Sequence, residues 1–113
     1  FTVNVIVSPE DLERQQATIL QYVGADQVQG GEVMGEAVLE DYGDDATIVY
    51  GIVGNPDQIP TNQRDQGFRD ALAGNPNASE AALVNGKADP NISLRVTTEM
   101  LQGNPDINVI WAD

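Results

Sequence analysis

Residues 23–35 read Val23-Gly24-Ala25-Asp26-Gln27-Val28-Gln29-Gly30-Gly31-Glu32-Val33-Met34-Gly35. The run passes from an apolar strand through a polar turn into a helix that carries several glycines, which is the pattern of a βα unit. A second unit follows, with an apolar strand that ends at Gly54-Asn55-Pro56 and a helix that begins near Asn62. Two such units in succession predict an α/β fold whose ligands bind where the strands end.

Strand and helix signals alternate along the rest of the chain. Apolar or β-branched runs predict strands at residues 2–7, 18–23, 46–53, 80–85 and 107–111. Helical periodicity and capping residues predict helices over residues 28–42, from an N-cap at Thr61 or Asn62 to Gly74, and from an N-cap at Asp89 to Gly103. The polar residues 8–16 are predicted to form a connection. We therefore expect three layers, a parallel sheet flanked by helices, with Gly30, Gly31 and Gly35 packing their helix closely on the sheet.

The length and charge of the chain narrow the possible functions. Its 113 residues, 41% of them hydrophobic, predict a single α/β domain over residues 1–113. No run approaches the roughly 20 apolar residues of a membrane-spanning helix, so no membrane insertion by this segment is expected. A net charge of −13 argues against nucleic-acid binding by this domain, because phosphate contacts need clustered Lys and Arg.

The acidic excess also has a physiological interpretation. Lys87 is the only lysine, and eighteen Asp and Glu residues face five Lys and Arg residues. Because salt screens the repulsion between carboxylates, this composition predicts adaptation to a high-salt habitat. The alternative is an acidic surface without such adaptation.

Residue types that usually carry catalysis are missing from the sequence. The chain has no Cys and no His, which removes thiolate nucleophiles and the commonest general base and metal ligand. The Gly51-Ile52-Val53-Gly54 run lacks the Gly-Lys-Ser/Thr ending of a phosphate-binding loop. Acidic pairs such as Asp44-Asp45 have no distinctive spacing and are interpreted as solvated surface. We therefore expect no enzymatic activity, no metal and no cofactor.

Several polar residues follow predicted strands and should gather at one edge of the sheet. They are Asn4, the Ala25-Asp26 turn, residues 55–62, Ala88 and Asp113. Arg64 lies in the first turn of a helix beside this edge, where it could bind an anionic or hydroxylated ligand. It could instead pair with a carboxylate such as Asp26 and tie two loops together, which is the favoured interpretation. Trp111 is predicted to pack in the core or at an interface.

Three segments in this order and spacing resemble the type I periplasmic substrate-binding proteins, the ribose-binding-like family. They are Gly24-Ala25-Asp26-Gln27 with Gly30-Gly31 and Gly35, Asn62-Gln63-Arg64 with Gly67-Phe68 and Ala71-Leu72, and Leu101 with Asn104-Pro105-Asp106. The resemblance runs from the first predicted strand to Asp113. Proteins of this family have two α/β lobes that close on a small solute, and this chain is similar to most of the second, C-terminal lobe.

The resemblance implies a function and a site. It implies the solute-binding component of an ABC importer, which binds a sugar or similar small polar solute, contacts the transporter permease and is located outside the cytoplasm. By position, Asn4 and Asn62 match polar ligand contacts of the family, and Asp26, Arg64 and Asp113 are expected to border the same site. Many sugar binders carry an aromatic residue where this chain has Ala88. The same pattern occurs in the effector-sensing domains of lactose-repressor-type transcriptional regulators, which would be cytoplasmic.

Overall fold

Five strands and four helices alternate along the chain, which a computed structural model describes at residues 2–3, 6–43 and 45–113. In chain order they are β1 (Thr2–Val3), α1 (Pro9–Arg14), β2 (Tyr22–Val23), α2 (Gln27–Tyr42), β3 (Ile48–Gly54), α3 (Ile59–Leu72), β4 (Ala78–Asn85), α4 (Pro90–Gly103) and β5 (Val109–Ala112). All strand pairs are parallel. β1 pairs with β2, and a second sheet has the order β4-β3-β5.

The core forms around β3, the central strand of the larger sheet. Ile48, Tyr50 and Ile52 alternate along this strand and are buried, together with Phe68 and Leu72 of α3. Because successive side chains of a strand point to opposite faces, these three residues share one face of the sheet. The predicted doubly buried strand is confirmed, with Val53 also buried on the other face.

Helices cover both faces of this sheet. On one face, the Phe68 ring of α3 packs edge-on against Tyr50, with ring centroids 5.5 Å apart, and stacks on Trp111, with centroids 5.0 Å apart. On the other face, the Met100 side chain of α4 lies against Gly51, where an added Cβ would fall 2.7 Å from the Met100 methyl carbon. The three-layer arrangement predicted from the sequence is therefore confirmed.

Capping residues define where three of the helices begin. Asp26 is the N-cap of α2 and its carboxylate accepts a hydrogen bond from the Gln29 amide at 3.0 Å. Asp89 caps α4 in the same way, as the sequence predicted. The predicted polar connection at residues 8–16 is wrong in part, because Ser8 caps a short helix, α1, that starts at Pro9.

The start of α3 also differs from the prediction. The helix begins at Ile59 after Gln58, with Pro60 in its first turn, so Thr61 and Asn62 lie inside the helix and are not its caps. The Thr61 hydroxyl instead lies within hydrogen-bond distance of the carbonyl oxygens of Asn55, at 2.5 Å, and Gln58, at 2.9 Å. This hydroxyl therefore ties the first turn of α3 to the loop that follows β3.

Glycines bring α2 and α3 into close contact. A Cβ added at Gly31 would overlap the backbone oxygen of Arg64, and one added at Gly67 would overlap the backbone oxygen of Val28. One added at Gly35 would fall 2.6 Å from the Ala71 Cβ. The prediction that Gly30, Gly31 and Gly35 pack their helix on the sheet is thus wrong about the partner. Gly31 and Gly35 bring α2 onto α3, and a Cβ added at Gly30 would meet no described heavy atom within 4 Å.

The amino-terminal strands are shorter than the sequence predicted. β2 covers Tyr22–Val23 against a predicted strand of 18–23, and residues 6 and 7 lie outside β1 (Thr2–Val3), although the predicted strand of 2–7 includes them. The molecule is elongated, with extents of 49 × 31 × 19 Å and a radius of gyration of 16.2 Å. A compact domain of this length would have a radius of gyration of about 13 Å.

Candidate functional site

An open cavity of about 380 Å³ lies at the carboxyl edge, which we define as the residues that follow the ends of β3, β4 and β5. It is lined by three residues between the end of β3 and the first turn of α3, by one residue of the loop after β4 and by one residue after β5. In that order they are Asn55, Gln58, Thr61, Ala88 and Asp113. Parallel strands place their carboxyl ends together, which explains why residues so far apart in sequence meet here.

The loop after β4 has an unusual backbone where it borders this cavity. Lys87 and Ala88 both have positive φ angles, 52° and 51°, although neither is glycine. Two hydrogen bonds hold the loop, from the Lys87 amide to the Asn85 side chain at 2.8 Å and from the Gly86 amide to the Gly54 carbonyl at 2.9 Å. Ala88 therefore borders the cavity from a loop that hydrogen bonds hold in place.

A second cavity, of about 430 Å³, lies beside the first turn of α2. It is lined by Tyr22 of β2, by Asp26 and Gln27 at the start of α2, and by Gln63 of α3. Apolar side chains that include Ile6 and Ile19 form much of its wall. The sequence grouped Asp26 with Asp113, but the structure places these two carboxylates in different cavities.

Asn62 stands between the two cavities on the first turns of α3. Thr61, the residue before it, lines the cavity at the carboxyl edge. Gln63, the residue after it, lines the cavity beside the first turn of α2, called here the α2 cavity. The exposed Asn62 side chain donates a hydrogen bond from Nδ2 to the Pro56 carbonyl at 2.8 Å. A carbonyl oxygen can only accept, so this contact assigns the orientation of the amide and turns its oxygen away from Pro56.

Arg64 ties α3 to α2, although its partner is not the predicted one. Its Nε donates to the Gln27 Oε1 atom at 2.6 Å. The favoured pairing with Asp26 is therefore wrong, and Asp26 serves as the N-cap of α2. Arg64 still links the two segments that border the α2 cavity, as the sequence suggested.

Burial raises the pKa of two carboxyl groups, one at the carboxyl edge and one on α3. The pKa of Asp113 lies above its ordinary value, first because neighbouring atoms exclude water from part of its carboxyl and second because the Asp65 carboxylate is near. Burial likewise raises the pKa of Asp65, although its bond to Trp111 and the charge of Arg69 partly offset this effect. Two carboxyl groups thus lie close together where β5 ends.

Sequence analysis did not single out Asp65, which is 1% exposed. The side chain accepts a hydrogen bond from Trp111 Nε1 at 2.7 Å. The sequence does contain a signal for this burial. Asp65, Phe68 and Leu72 recur at a helical period, so Asp65 lies on the apolar face of its helix. Trp111 packs in the core as predicted, stacked on Phe68. Asn4, predicted as a ligand contact, lies outside the described residues.

Comparison with known families identifies the fold. The family model for the periplasmic binding protein domain matches residues 3–113, and the chain therefore belongs to this family of solute-binding proteins. A search of curated protein sequences finds no match. Among the described residues, the helices are all too short or too polar to cross a membrane.

Solved structures of sugar-transport proteins share this fold. A solute-binding protein of an ABC transporter from Actinobacillus succinogenes, solved with bound D-allose, is 27% identical, with a TM-score of 0.83, over 97% of this chain and 38% of its own length. A solute-binding protein from Burkholderia multivorans is 20% identical, with a TM-score of 0.85 and the same coverages. GanP, a glucose-galactose binding protein from Geobacillus stearothermophilus, is 20% identical, with a TM-score of 0.80, over 97% of this chain and 36% of its own length.

These coverages show how much of such a protein the chain represents. It spans between a third and two fifths of the length of these three proteins. The parallel sheet flanked by helices matches one lobe of the periplasmic-binding-protein fold, as the resemblance in the sequence implied.

Proposed function

We propose that this chain is part of the second lobe of an extracytoplasmic solute-binding protein that delivers a sugar, or a similar small polar solute, to the permease of an ABC importer. Binding involves no covalent chemistry. The solute lies between this lobe and another, and closure of the two lobes around it is the signal that the permease receives.

The observation that carries this proposal is the cavity at the carboxyl edge, where polar side chains stand among a largely apolar lining. Asn55, Gln58 and Asp113 bring amide and carboxyl groups to it from two different strand ends. The amides both donate and accept hydrogen bonds and a carboxylate accepts them, so together these groups can pair with sugar hydroxyls, which do both. Asn62 lies on the adjoining turn with its amide oxygen turned away from Pro56, so we expect it to accept a hydrogen bond from a solute hydroxyl.

The structure also bears on which solutes fit. Ala88 offers no aromatic surface at this edge, and the Trp111 ring is stacked on Phe68, so neither is suited to pack on a sugar face. Recognition by this lobe therefore depends on hydrogen bonds. Solved relatives support the class of solute, since one was crystallised with D-allose and another is a glucose-galactose binding protein.

Calorimetry on the intact polypeptide tests the proposal, with D-allose, D-arabinose, D-glucose and D-galactose as probes. At least one probe should bind the wild type, and Asn62→Ala should weaken that binding by about tenfold, the effect of losing one well-placed hydrogen bond. Gln102→Ala is the control, because it removes an exposed amide from the opposite end of α4. Unchanged affinity in Asn62→Ala would remove Asn62 from the site.

The regulator alternative predicts a different parent polypeptide. A lactose-repressor-type protein would carry a helix-turn-helix before its sensing domain, whereas an importer subunit would carry an export signal or a lipid-anchored cysteine. Sequencing the amino terminus of the intact polypeptide decides between them. The solved relatives described above favour the importer, since two of them are solute-binding proteins of ABC transporters.

A further inference from the structure

A partly buried hydrogen bond joins α3 to β5 beside the carboxyl edge. Trp111 Nε1 donates to Asp65 Oδ1 at 2.7 Å, and the Trp111 ring stacks on Phe68 with an interplanar angle of 8°. Stacking fixes the plane of the indole, and the hydrogen bond fixes how far the ring can slide along it. The bond therefore sets the position of β5 relative to α3.

Each partner of this bond is close in sequence to a predicted solute contact. Asp65 follows Asn62 by three residues, so both lie within one turn of α3, and Trp111 precedes Asp113 by two residues. A displacement of β5 along α3 would thus change the distance between Asn62 and Asp113. These two side chains come from different elements and must be correctly spaced to contact one small solute.

Asp65 occupies this position although its environment disfavours a carboxylate. The side chain is 1% exposed, and its Oδ2 atom has no hydrogen-bond partner among the described residues. Gly54, at the end of β3, leaves room for that oxygen, since an added Cβ would fall 2.7 Å from it. A buried polar atom without a partner destabilises a fold, and an apolar residue would fill a core position of this helix without that cost.

We propose that Asp65 is a positioning residue for the solute site, which it serves by holding Trp111 and hence the spacing between Asn62 and Asp113. The effect on solute affinity rests on the proposed function. The effect on the geometry of the carboxyl edge does not.

Three variants of the intact polypeptide separate positioning from simple stabilisation. Asp65→Asn keeps an acceptor for the Trp111 N–H in the same volume. Asp65→Ala removes the acceptor and adds no bulk against Gly54. Asp65→Ala combined with Trp111→Phe removes donor and acceptor together, so that neither is left buried without a partner and most of the lost stability should return.

Two measurements are made on each variant: affinity for the sugar that the wild type binds best among the four probes, and the backbone amide chemical shifts of Asn62 and Asp113. We expect Asp65→Asn to keep affinity within about twofold, and both Asp65→Ala and the double variant to lose about tenfold, as a small misplacement of contacting groups does. The two amide shifts should move in Asp65→Ala and in the double variant, and stay near wild type in Asp65→Asn.

Two results would overturn the proposal. One is a double variant with wild-type affinity and wild-type amide shifts at Asn62 and Asp113, because the bond would then be structural only. The other is an Asp65→Asn variant that behaves like Asp65→Ala. If no probe binds the wild type, the proposed sugar-binding function fails, and the amide shifts alone decide whether Asp65 positions the edge.

Discussion

Asp65 shows how a single buried carboxyl couples stability to pH. Burial raises its pKa above the ordinary 3.8, with the Trp111 hydrogen bond and the Arg69 charge acting in the opposite direction. A folded-state pKa above the unfolded one means that the native state binds the proton more tightly. The stabilising contribution of this group is therefore complete below about pH 3.8 and is lost as the pH rises through the raised folded-state pKa.

Asp65→Asn should consequently stabilise the protein relative to wild type at neutral pH, and this advantage should shrink as the pH falls. The reason is that Asn keeps an acceptor for Trp111 and carries no charge to bury. Urea denaturation of both proteins between about pH 4 and about pH 7 measures the difference. Asp70→Asn, which removes a carboxylate from the exposed side of the same helix, controls for net charge. A difference between Asp65→Asn and wild type that does not vary with pH would contradict the prediction.

At this scale the sequence located candidate residues better than it predicted their partners. Arg64 does join the start of α2, but through Gln27 and not through Asp26. Asp26 is turned toward the Gln29 amide as the cap of α2, whereas Gln27, one residue further on, brings its Oε1 atom to Arg64 Nε at 2.6 Å. Adjacent residues offer acceptors a few ångströms apart, and the choice between them depends on side-chain geometry that no sequence pattern encodes.

The close approach of α2 to α3 predicts opposite effects on stability for alanine substitutions at two adjacent glycines. A Cβ at Gly31 would overlap the Arg64 backbone oxygen, whereas a Cβ at Gly30 meets no described heavy atom within 4 Å. Gly31→Ala should therefore destabilise the protein by roughly 3 kcal/mol, because backbone atoms cannot move aside as a flexible side chain can. Gly30→Ala should stabilise it by roughly 0.5–1 kcal/mol, because alanine favours a helix more than glycine does.

Chemical denaturation of the two variants and the wild type measures both effects. The two substitutions add the same methyl group to neighbouring positions of one helix, so each is the control for the other. If Gly31→Ala were as stable as Gly30→Ala, the close approach of α2 to α3 would not exist in solution.

Element boundaries were predictable where a local signal was read correctly. Asp89 with Pro90 predicted the start of α4, and the structure confirms it. For α3, the prediction placed the cap at Thr61 or Asn62. Pro60 indicates an earlier start, because proline is common in the first turn of a helix. The error matters for the site, because it determines on which turn of the helix Asn62 lies.

For the whole molecule, the alternation of strands and helices was sufficient to predict a parallel sheet flanked by helices. The division into two sheets was not predictable in this way. Among the residues that the structure describes, β1 pairs with β2 at Thr2 with Tyr22 and at Val3 with Val23, and such short pairings depend on contacts distant in sequence. The strand order β4-β3-β5 likewise depends on how the crossovers pack and not on any single segment.

The acidic surface predicts how the whole molecule responds to salt. Repulsion within a net charge of −13 opposes the folded state at low ionic strength, and α2 adds to it because Glu40 and Asp41 occupy its last turn, where the helix dipole disfavours negative charge. At about 1 M salt the screening length falls to about 3 Å, which removes most of this repulsion between exposed charges. The melting midpoint of the intact protein should thus rise by several degrees between about 0.05 M and about 2 M NaCl.

A pair of substitutions that removes two negative charges tests whether screening is the cause. Glu40→Gln with Asp41→Asn should raise the midpoint at low salt and should reduce its dependence on NaCl, since less repulsion is left to screen. Chloride is the appropriate anion because sulfate strengthens apolar burial in any fold. The matched control is Gln29→Ala, on the first turn of the same helix, which changes no charge. If the wild type melted no lower at the lowest NaCl concentration than at the highest, the prediction of salt adaptation would be wrong, and the chain would have an acidic surface without such adaptation. Adaptation to a saline habitat requires that charge repulsion weaken the fold when salt does not screen it.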